Sequence, residues 1–147
     1  MKNSLNIEQW MTQLVALMGD KQRVRLTRQI GTIMRKANQR RIRAQVSADG
    51  SAWEKRKTPT KHRRKMLTGF ARAQHLKTVA STDGVEVGYR KSAARLAQIH
   101  HAGLLGSVSP GGPRVDYPER PLLGWAEIDI AEIDKLLMTT LRASTGA

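Results

Sequence analysis

The sequence contains no cysteine among its 147 residues. The chain therefore forms no disulfide, has no thiolate nucleophile and offers no thiolate ligand for zinc or an iron–sulfur cluster. This composition is consistent with a protein that is made in a reducing compartment.

Long apolar runs and aromatic residues are also scarce. No uninterrupted apolar stretch reaches the roughly 18 residues that predict a membrane-spanning helix, and the N-terminus does not resemble a signal peptide. We therefore expect no contact with a membrane. The hydrophobic content is 39%, which is too high for a disordered tail, so the length predicts one domain over residues 1–147.

Acidic residues are also scarce. The chain has 12 acidic residues against 26 Lys and Arg, a net charge of +14. Residues 21–77 contain 18 basic and two acidic residues, so this segment alone carries +16. Such a block repels itself unless an anion compensates it, and phosphate polymers and acidic protein surfaces are the obvious partners. The alternative, that these cations only keep a helix solvated, remains open.

Helical periodicity predicts two helices in the first third of the chain. Asn6 and Gln9 form a capping pair before a helix whose apolar face extends to Met18. Asp20 predicts the N-cap of a second helix over about 21–45. Its narrow apolar stripe, opposite a broad cationic side, consists of Leu26, Ile30, Ile33 and Ala37.

The segment after this helix alternates between turn signals and charge. Asp49 and Gly50 predict a turn, and Trp53 after it is expected to anchor the core. Residues 54–65 are mostly charged, so we predict a basic mobile arm or loop there. A short helix is expected over 66–73.

The strongest strand signal lies in the middle of the chain. Alternating β-branched residues over 78–82 and 85–89 predict an antiparallel hairpin with Asp83-Gly84 as its loop. This hairpin is expected to form the basis of a small antiparallel sheet.

The last third of the chain predicts two helices separated by a loop. The first covers 92–102, with Leu96, Ile99 and His100 inward and Gly103 as its cap. The segment 106–121 is rich in proline and glycine, so we expect an extended loop that serves function or assembly.

The C-terminal helix is predicted from a capping pair and an apolar face. Asp129 and Glu132 form the pair, and the buried face is expected to hold Ile130, Ile133, Leu136, Leu137 and Leu141. The predicted fold is therefore α+β, with N-terminal helices, a small antiparallel sheet built on a β-hairpin, and a C-terminal helix.

No pattern of residues indicates catalysis. His100 and His101 are adjacent, and neighbouring helix positions point about 100° apart, which makes a shared metal ion difficult. The sequence also lacks a nucleophile elbow and a phosphate-binding Gly-Lys-Ser/Thr loop. We therefore predict a protein that is not an enzyme, with no cofactor and no metal site.

The basic segment suits nucleic-acid binding through phosphate contacts and not through base stacking. Within 21–77 the aromatic residues apart from histidine are Trp53 and Phe70, so there is no series of stacking platforms. Any contact with DNA is expected to involve backbone phosphates and to be indifferent to sequence.

Four segments together resemble a known family. They are the basic helix end 39–45 with the turn Asp49-Gly50-Ser51-Ala52-Trp53, the strands around Leu76-Lys77 and Val87-Gly88-Tyr89, the pattern Ala-x-Ile-His-x-x-Gly at 97–103, and the pattern Tyr-Pro-x-Arg-x-Leu-Leu-Gly at 117–124. In this order, from about residue 5 to 141, they resemble the phage virion morphogenesis family, the tail completion proteins of contractile-tailed phages.

The resemblance implies a single tail-completion-like domain over 1–147 that is a structural part of the virion. Such a protein completes or terminates the tail and supports head–tail joining, as a homo-oligomeric ring at the neck. The implied partners are further copies of itself and tail tube, sheath or neck proteins, with non-specific DNA contact possible. The implied location is the virion, and the host cytoplasm during assembly. Ring size and the identity of the neighbours remain open.

The candidate contacts to an anionic partner all belong to the basic segment. They are Arg35, Lys36, Arg40, Arg41, Arg43, Lys55, Arg56, Lys57, Lys61, Arg63, Arg64 and Lys65. The 54–65 arm and the 106–121 loop are the segments expected to reach neighbouring subunits.

The candidate determinants of the fold or of a subunit interface come from the matching segments. They are Asp49, Gly50, Trp53, His100, Gly103, Tyr117, Pro118, Arg120 and Gly124. Asp49 and Gly50 would shape a turn, His100 would pack or form a hydrogen bond near the hairpin, and Arg120 would hold a subunit contact or an internal carboxylate.

A second hypothesis depends on charge alone. The +16 segment would equally suit a standalone basic protein that binds nucleic-acid phosphates without sequence specificity.

Overall fold

A computed structural model describes residues 12, 15–57 and 65–145 of the chain. Within this part the chain forms three α-helices, one 3-10 helix and two antiparallel hairpins. The elements are α1 (Asp20–Ala44), the 3-10 helix (Thr68–Ala71), β1 (Leu76–Ala80), β2 (Val85–Tyr89), α2 (Ser92–Ala102), β3 (Leu105–Ser107), β4 (Arg114–Asp116) and α3 (Glu127–Thr145). The predicted α+β class is confirmed, whereas the predicted helix before Gly19 lies largely outside the described residues.

Helix α1 is the element around which the rest of the chain packs. Its N-cap is Gly19, so Asp20 lies in the first turn, where its charge favours the helix dipole, and does not cap the helix as predicted. At the other end Gln45 adopts the left-handed conformation, and the Val46 N–H donates to the carbonyl of Arg41 at 3.1 Å.

Two different sides of α1 are covered. Leu26 and Ala37 of the predicted stripe are buried, and Ile30 and Ile33 are half-buried. A second side, which carries Gly31, lies against the β1–β2 hairpin. The buried part of the helix is therefore wider than the predicted narrow stripe.

The central hairpin is confirmed, with a loop one residue earlier than predicted. Ala80 pairs with Val85, and the Ser81 N–H donates to the Gly84 carbonyl at 2.8 Å. The two residues at the tip are therefore Thr82 and Asp83. Gly84 closes the ladder instead of lying in the loop.

The segment 106–121 contains secondary structure that proline and glycine content did not suggest. Strand β3 pairs with β4 in an antiparallel ladder in which Gly106 is opposite Val115. A turn closes the hairpin, because the Gly112 N–H donates to the Ser109 carbonyl at 2.8 Å. The two proline–glycine pairs thus form the connection between strands.

Among the described residues, buried apolar side chains form two packed clusters, and α1 contributes to both. The larger cluster contains Ile42, Trp53, Met66, Ala71, Ala97 and Leu122. The smaller one contains Met18, Leu26 and Leu141, and it joins α1 to the end of α3. Burying each large apolar side chain contributes about 1.5–3 kcal/mol, so these clusters hold the three helices together.

The inward sides of α2 and α3 differ from prediction at one position each. Leu96 is 52% exposed because Ala97 faces the core. Ile130 is 48% exposed because Asp129 takes the inward position at the start of α3. Ile133 and Leu141 are buried as predicted.

Candidate functional site

One side of α1 carries exposed cations in both its first and its last turns. The exposed basic residues on this side are Lys21, Arg25, Arg28, Lys36, Arg40 and Arg43, and we call this set the cationic stripe. At 100° per residue these positions fall on one side of the helix, and at 1.5 Å per residue they extend over about 33 Å. No residue of the stripe takes part in an ion pair with a described residue.

The predicted anion-contacting residues divide into several groups. Lys36, Arg40 and Arg43 lie in the cationic stripe. The exposed residues at the two ends of the arm are Lys55, Arg56, Lys57 and Lys65. Lys61, Arg63 and Arg64 lie outside the described residues.

Arg35 and Arg41 are exceptions to the predicted exposure. Arg35 is half-buried, and its Nε is buried without a hydrogen-bond partner among the described residues. Arg41 forms an ion pair of 2.7 Å with Asp129, whose side chain is 1% exposed. Because its guanidinium is engaged inside the protein, we leave Arg41 out of the surface proposed to meet an external anion.

The Arg41–Asp129 pair is the centre of a buried polar network. Arg41 Nη2 donates to Asn38 Oδ1 at 2.9 Å and to the Gly124 carbonyl at 2.8 Å. Asn38 Oδ1 also accepts from the Gly124 N–H at 3.0 Å, and Asp129 Oδ2 accepts from the Ala126 N–H at 2.9 Å. The network therefore fastens α1 to the segment before α3 and supplies the reach-back half of a capping box.

Sequence reasoning missed this network, although a signal was present. Arg41 follows Ala37 by four residues, and Asn38 follows Met34 by four. Both polar residues thus continue an apolar face of α1, and a polar residue in that position is expected to have a buried partner.

The segments 97–103 and 117–124 pack directly against each other. The Arg120 N–H donates to the His100 carbonyl at 2.8 Å, and the Leu122 N–H donates to His101 Nδ1 at 3.1 Å. Gly103 has φ +65° and lies so close to Glu119 that a Cβ would be 2.7 Å from the Glu119 nitrogen. We call this contact the motif junction.

Aromatic rings cover His100 within the motif junction. The His100 ring makes an edge-on contact with Tyr117, with centroids 4.8 Å apart, and a tilted contact with Phe70 at 6.2 Å. Burial, helped by the positive charge of Arg120, lowers the pKa of His100 below its usual value. The His100 ring therefore packs among aromatic side chains in the motif junction.

Arg120 fastens the start of the basic arm. It is 6% exposed, and its Nε donates to the Glu54 carbonyl at 2.9 Å. Burial lowers the pKa of Arg120, and the charge of Glu54 opposes that effect. The acceptor of this hydrogen bond is a backbone carbonyl, and the charge of the Glu54 carboxylate also acts on Arg120. The predicted subunit contact of Arg120 stays a prediction.

The turn before Trp53 owes its shape to Asp49 and Gly50. Asp49 Oδ1 accepts from the Ser51 N–H at 2.9 Å, and hydrogen bonding to Ser51 lowers the pKa of Asp49. Gly50 has φ +85°, a conformation that favours glycine. The turn delivers Trp53, which is 5% exposed, into the larger core cluster.

The remaining predicted determinants lie along the segment 117–124. Tyr117 and Pro118 are half-buried, and the Tyr117 N–H donates to the Leu104 carbonyl at 3.2 Å. Gly124 lies against Ala48, where a Cβ would be 2.7 Å from the Ala48 Cβ.

Comparison with known protein families supports the resemblance that the four sequence segments indicated. The phage virion morphogenesis family matches the chain over residues 3–142. This chain belongs to that family. The earlier resemblance is thereby confirmed, and the motif junction and the Arg41–Asp129 network are properties of a virion morphogenesis protein.

One curated relative of this virion morphogenesis protein is similar over almost its whole length. It is the tail completion protein S of Escherichia phage P2, which is 28% identical over 141 residues, covering 91% of this chain and 94% of the relative. No solved structure matches the chain significantly.

Residues 12, 15–57 and 65–145 contain no group of three or more His, Cys, Asp or Glu that is placed to hold a metal ion. No helix in the same ranges is both long and apolar enough to span a membrane.

Replacing His100 with phenylalanine is expected to reduce the pH dependence of stability. Because the folded-state pKa of His100 lies below its unfolded value of about 6.5, the unfolded chain binds more protons in this range, and stability falls as the pH drops below about 7. Phenylalanine preserves the ring contacts and removes the proton site. Urea unfolding of wild type and H100F at pH 7.5 and 5.5 measures the difference.

Gln98→Ala provides the control for this measurement, because Gln98 is exposed on the same helix and has no proton to titrate. The Q98A variant should lose as much stability between the two pH values as wild type does, whereas H100F should lose less. An equal loss in wild type and H100F would contradict the burial of His100.

Proposed function

We propose that this protein is a structural virion subunit that completes the phage tail and supports head–tail joining, as a ring-forming subunit at the neck. The observation that carries the proposal is the family match over residues 3–142, together with a relative named for tail completion that aligns over 94% of its own length. The role is structural rather than catalytic.

Exposed apolar side chains support a protein built for assembly. On the β3–β4 hairpin and the residue before it, Leu104, Leu105, Val108 and Val115 are each 38–60% exposed. Trp125 and Ile128, around the start of α3, are 62% and 74% exposed. Large apolar side chains exposed in these two places are typical of contacts with other molecules, and two separate places suit the head-to-tail contacts of a closed ring.

The cationic stripe supports partners that carry negative charge. Acidic surfaces of tail tube, sheath or neck proteins would neutralise it, and so would DNA that passes through the neck. The exposed cations at both ends of the basic arm would add to the positive electrostatic potential of the cationic stripe.

Association with tails tests the proposed function. Purified protein is mixed with tails from the phage that encodes it, and the mixture is sedimented through a sucrose gradient. We expect the protein to migrate with the tails. Light scattering of the free protein should give a mass of several times 16.4 kDa. Protein that stays monomeric and never migrates with tails would refute the proposal.

The cationic stripe also keeps a second candidate function under consideration, that of a standalone protein that binds nucleic acid. In that case log binding to duplex DNA should fall linearly with log salt, with a slope of about −0.9 per phosphate contacted. A variant in which neutral residues replace Lys36 and Arg40 should contact about two phosphates fewer, so the magnitude of its slope should be correspondingly smaller. Absence of binding at low salt would dismiss this candidate.

A further inference from the structure

A depression lies between the 3-10 helix and the start of α2. Its volume is about 400 Å³, which is within the range of roughly 300–1,000 Å³ that is typical of ligand pockets. The two ends of the basic arm, the 3-10 helix and the first turns of α2 contribute to its wall. We call this depression the basic pocket, and the lining residues that matter below are Arg56, Lys65, Leu67, Phe70, His75 and Leu96.

The basic pocket has an apolar lining. Leu67 and Phe70 are half-buried and pack against the larger core cluster. Leu96, on the outward side of α2, is 52% exposed because Ala97 takes the core position. The pocket thus offers three apolar side chains to a molecule that enters it. Covering them removes apolar surface from water, which favours binding.

Cations accompany this apolar lining. Arg56 and Lys65 are exposed at the two ends of the basic arm, and His75 is half-buried. Lys65 Nζ donates to the Arg43 carbonyl at 2.8 Å, so the pocket adjoins the C-terminal end of the cationic stripe. Among the described residues, no Asp or Glu lines the pocket. The electrostatic potential at the basic pocket is therefore positive.

A second depression, of about 350 Å³, continues the positive charge. It meets the basic pocket at His75 and at the start of α2. Its own cations are Lys77, Arg90 and Lys91, and its described lining is also free of acidic residues. The start of α2 adds the partial positive charge of a helix N-terminus. An anionic chain that leaves the basic pocket therefore meets further cations.

We propose that the basic pocket binds an extended acidic segment of a neighbouring virion protein. One large apolar side chain of that segment fills the pocket, and its carboxylates lie on the cations of the two depressions. Charge complementarity selects this occupant, because the described lining carries positive and no negative charge, and the apolar lining selects the anchoring side chain. The inference rests on the proposed function, for which it names the chemistry of the partner segment.

Two other occupants match the basic pocket less well. Duplex DNA presents phosphates but no apolar side chain. The Phe70 ring already contacts the rings of Tyr89 and His100, at centroid distances of 5.4 and 6.2 Å, so it is poorly placed to stack on a base. Residues 58–64 adjoin the pocket in sequence, but they contain three Lys or Arg, no acidic residue and no large apolar residue. This segment therefore matches neither the charge nor the apolar lining.

Binding of a short peptide tests the site. The probe is fluorescein-labelled Gly-Asp-Glu-Phe-Asp-Glu-Gly, which is titrated with the whole chain at low salt while fluorescence anisotropy is recorded. We expect saturable binding that weakens as salt increases. A peptide with Ala in place of Phe should bind about tenfold more weakly. A peptide with Asn and Gln in place of the acidic residues should show no binding.

Leu96→Glu tests the pocket from the side of the protein. The substitution removes an apolar contact and adds a carboxylate, so L96E should bind the Phe peptide at least about tenfold more weakly than wild type. Met138→Glu is the matched control, because Met138 is 41% exposed on α3, lies outside both depressions and receives the same charge. M138E should bind as wild type does. Circular dichroism and urea unfolding should show that both variants are folded.

Removal of cations provides a second measurement that does not depend on Leu96. The variant R90Q/K91Q loses two cations beside the basic pocket, and K36Q/R40Q loses two from the cationic stripe. The first variant should weaken peptide binding more than the second. The inference is overturned if K36Q/R40Q weakens binding as much, if the Phe and Ala peptides bind equally, or if wild type binds neither.

Sedimentation with tails separates this inference from the proposed function. L96E should migrate with tails less than wild type and M138E do. Equal migration of L96E and wild type would leave the proposed function intact and overturn the inference. Peptide binding that requires Leu96, without any migration of wild type with tails, would support the pocket's preference and refute the proposed function. Binding of duplex DNA that falls in L96E but not in M138E would assign the pocket to DNA and overturn the inference.

Discussion

Replacing Asp129 with alanine is expected to lower the free energy of unfolding by about 3–5 kcal/mol. The substitution leaves the Arg41 guanidinium without its anion, although only 14% of that side chain is exposed. It also removes the acceptor for the Ala126 N–H at the start of α3. Urea unfolding monitored by circular dichroism measures the loss.

Glu132→Ala is the matched control for this substitution. Glu132 lies one turn further along the same helix and is exposed, so its removal should change stability by no more than about 0.5 kcal/mol. A double-mutant cycle with Arg41→Met should show that the two substitutions together cost clearly less than their sum. A loss of less than about 1 kcal/mol for D129A would contradict a buried ion pair.

Replacing Gly103 with alanine is expected to cost about 3 kcal/mol. The residue has φ +65°, where a side chain costs about 1–2 kcal/mol. The added Cβ would also be 2.7 Å from the backbone nitrogen of Glu119, and forcing such a contact apart costs about 1–3 kcal/mol more. The motif junction would have to open, and the midpoint of urea unfolding should fall accordingly.

Substitutions at two other glycines separate the cost of the backbone conformation from the cost of the close contact with Glu119. Gly50 has φ +85° and no atom near a prospective Cβ, so G50A should cost only the conformational part, about 1–2 kcal/mol. Gly84 has neither feature, and G84A should be close to neutral. Equal losses in G50A and G103A would show that the close approach to Glu119 does not matter.

The sequence predicted those parts of the fold that depend on local pattern. The periodicity of α1 and α3, the cap at Gly103 and the β1–β2 hairpin each arise from a few neighbouring residues. The predicted bounds of α1, about 21–45, are each within one residue of the observed Asp20–Ala44. Local signals are sufficient wherever an element is amphipathic and ends at a cap.

Long-range polar contacts could not be predicted from local pattern. Arg41 was assigned to the surface because it belongs to a run of basic residues, yet its partner Asp129 is 88 positions away. The pairing of Arg120 with the Glu54 carbonyl, over 66 positions, is of the same kind. A single sequence shows that a polar residue continues an apolar face, but it does not show which distant residue will meet it.

The β3–β4 hairpin is held at its base and is exposed beyond it. The Tyr117 N–H donates to the Leu104 carbonyl, and Gly106 lies between Ile99 and the Tyr117 ring. Residues 108–113 beyond this base contribute nothing to either core cluster. Insertions or exchanges at residues 108–113 are therefore expected to leave the folding of the domain unaffected, which makes this tip a suitable place for a label or an affinity tag.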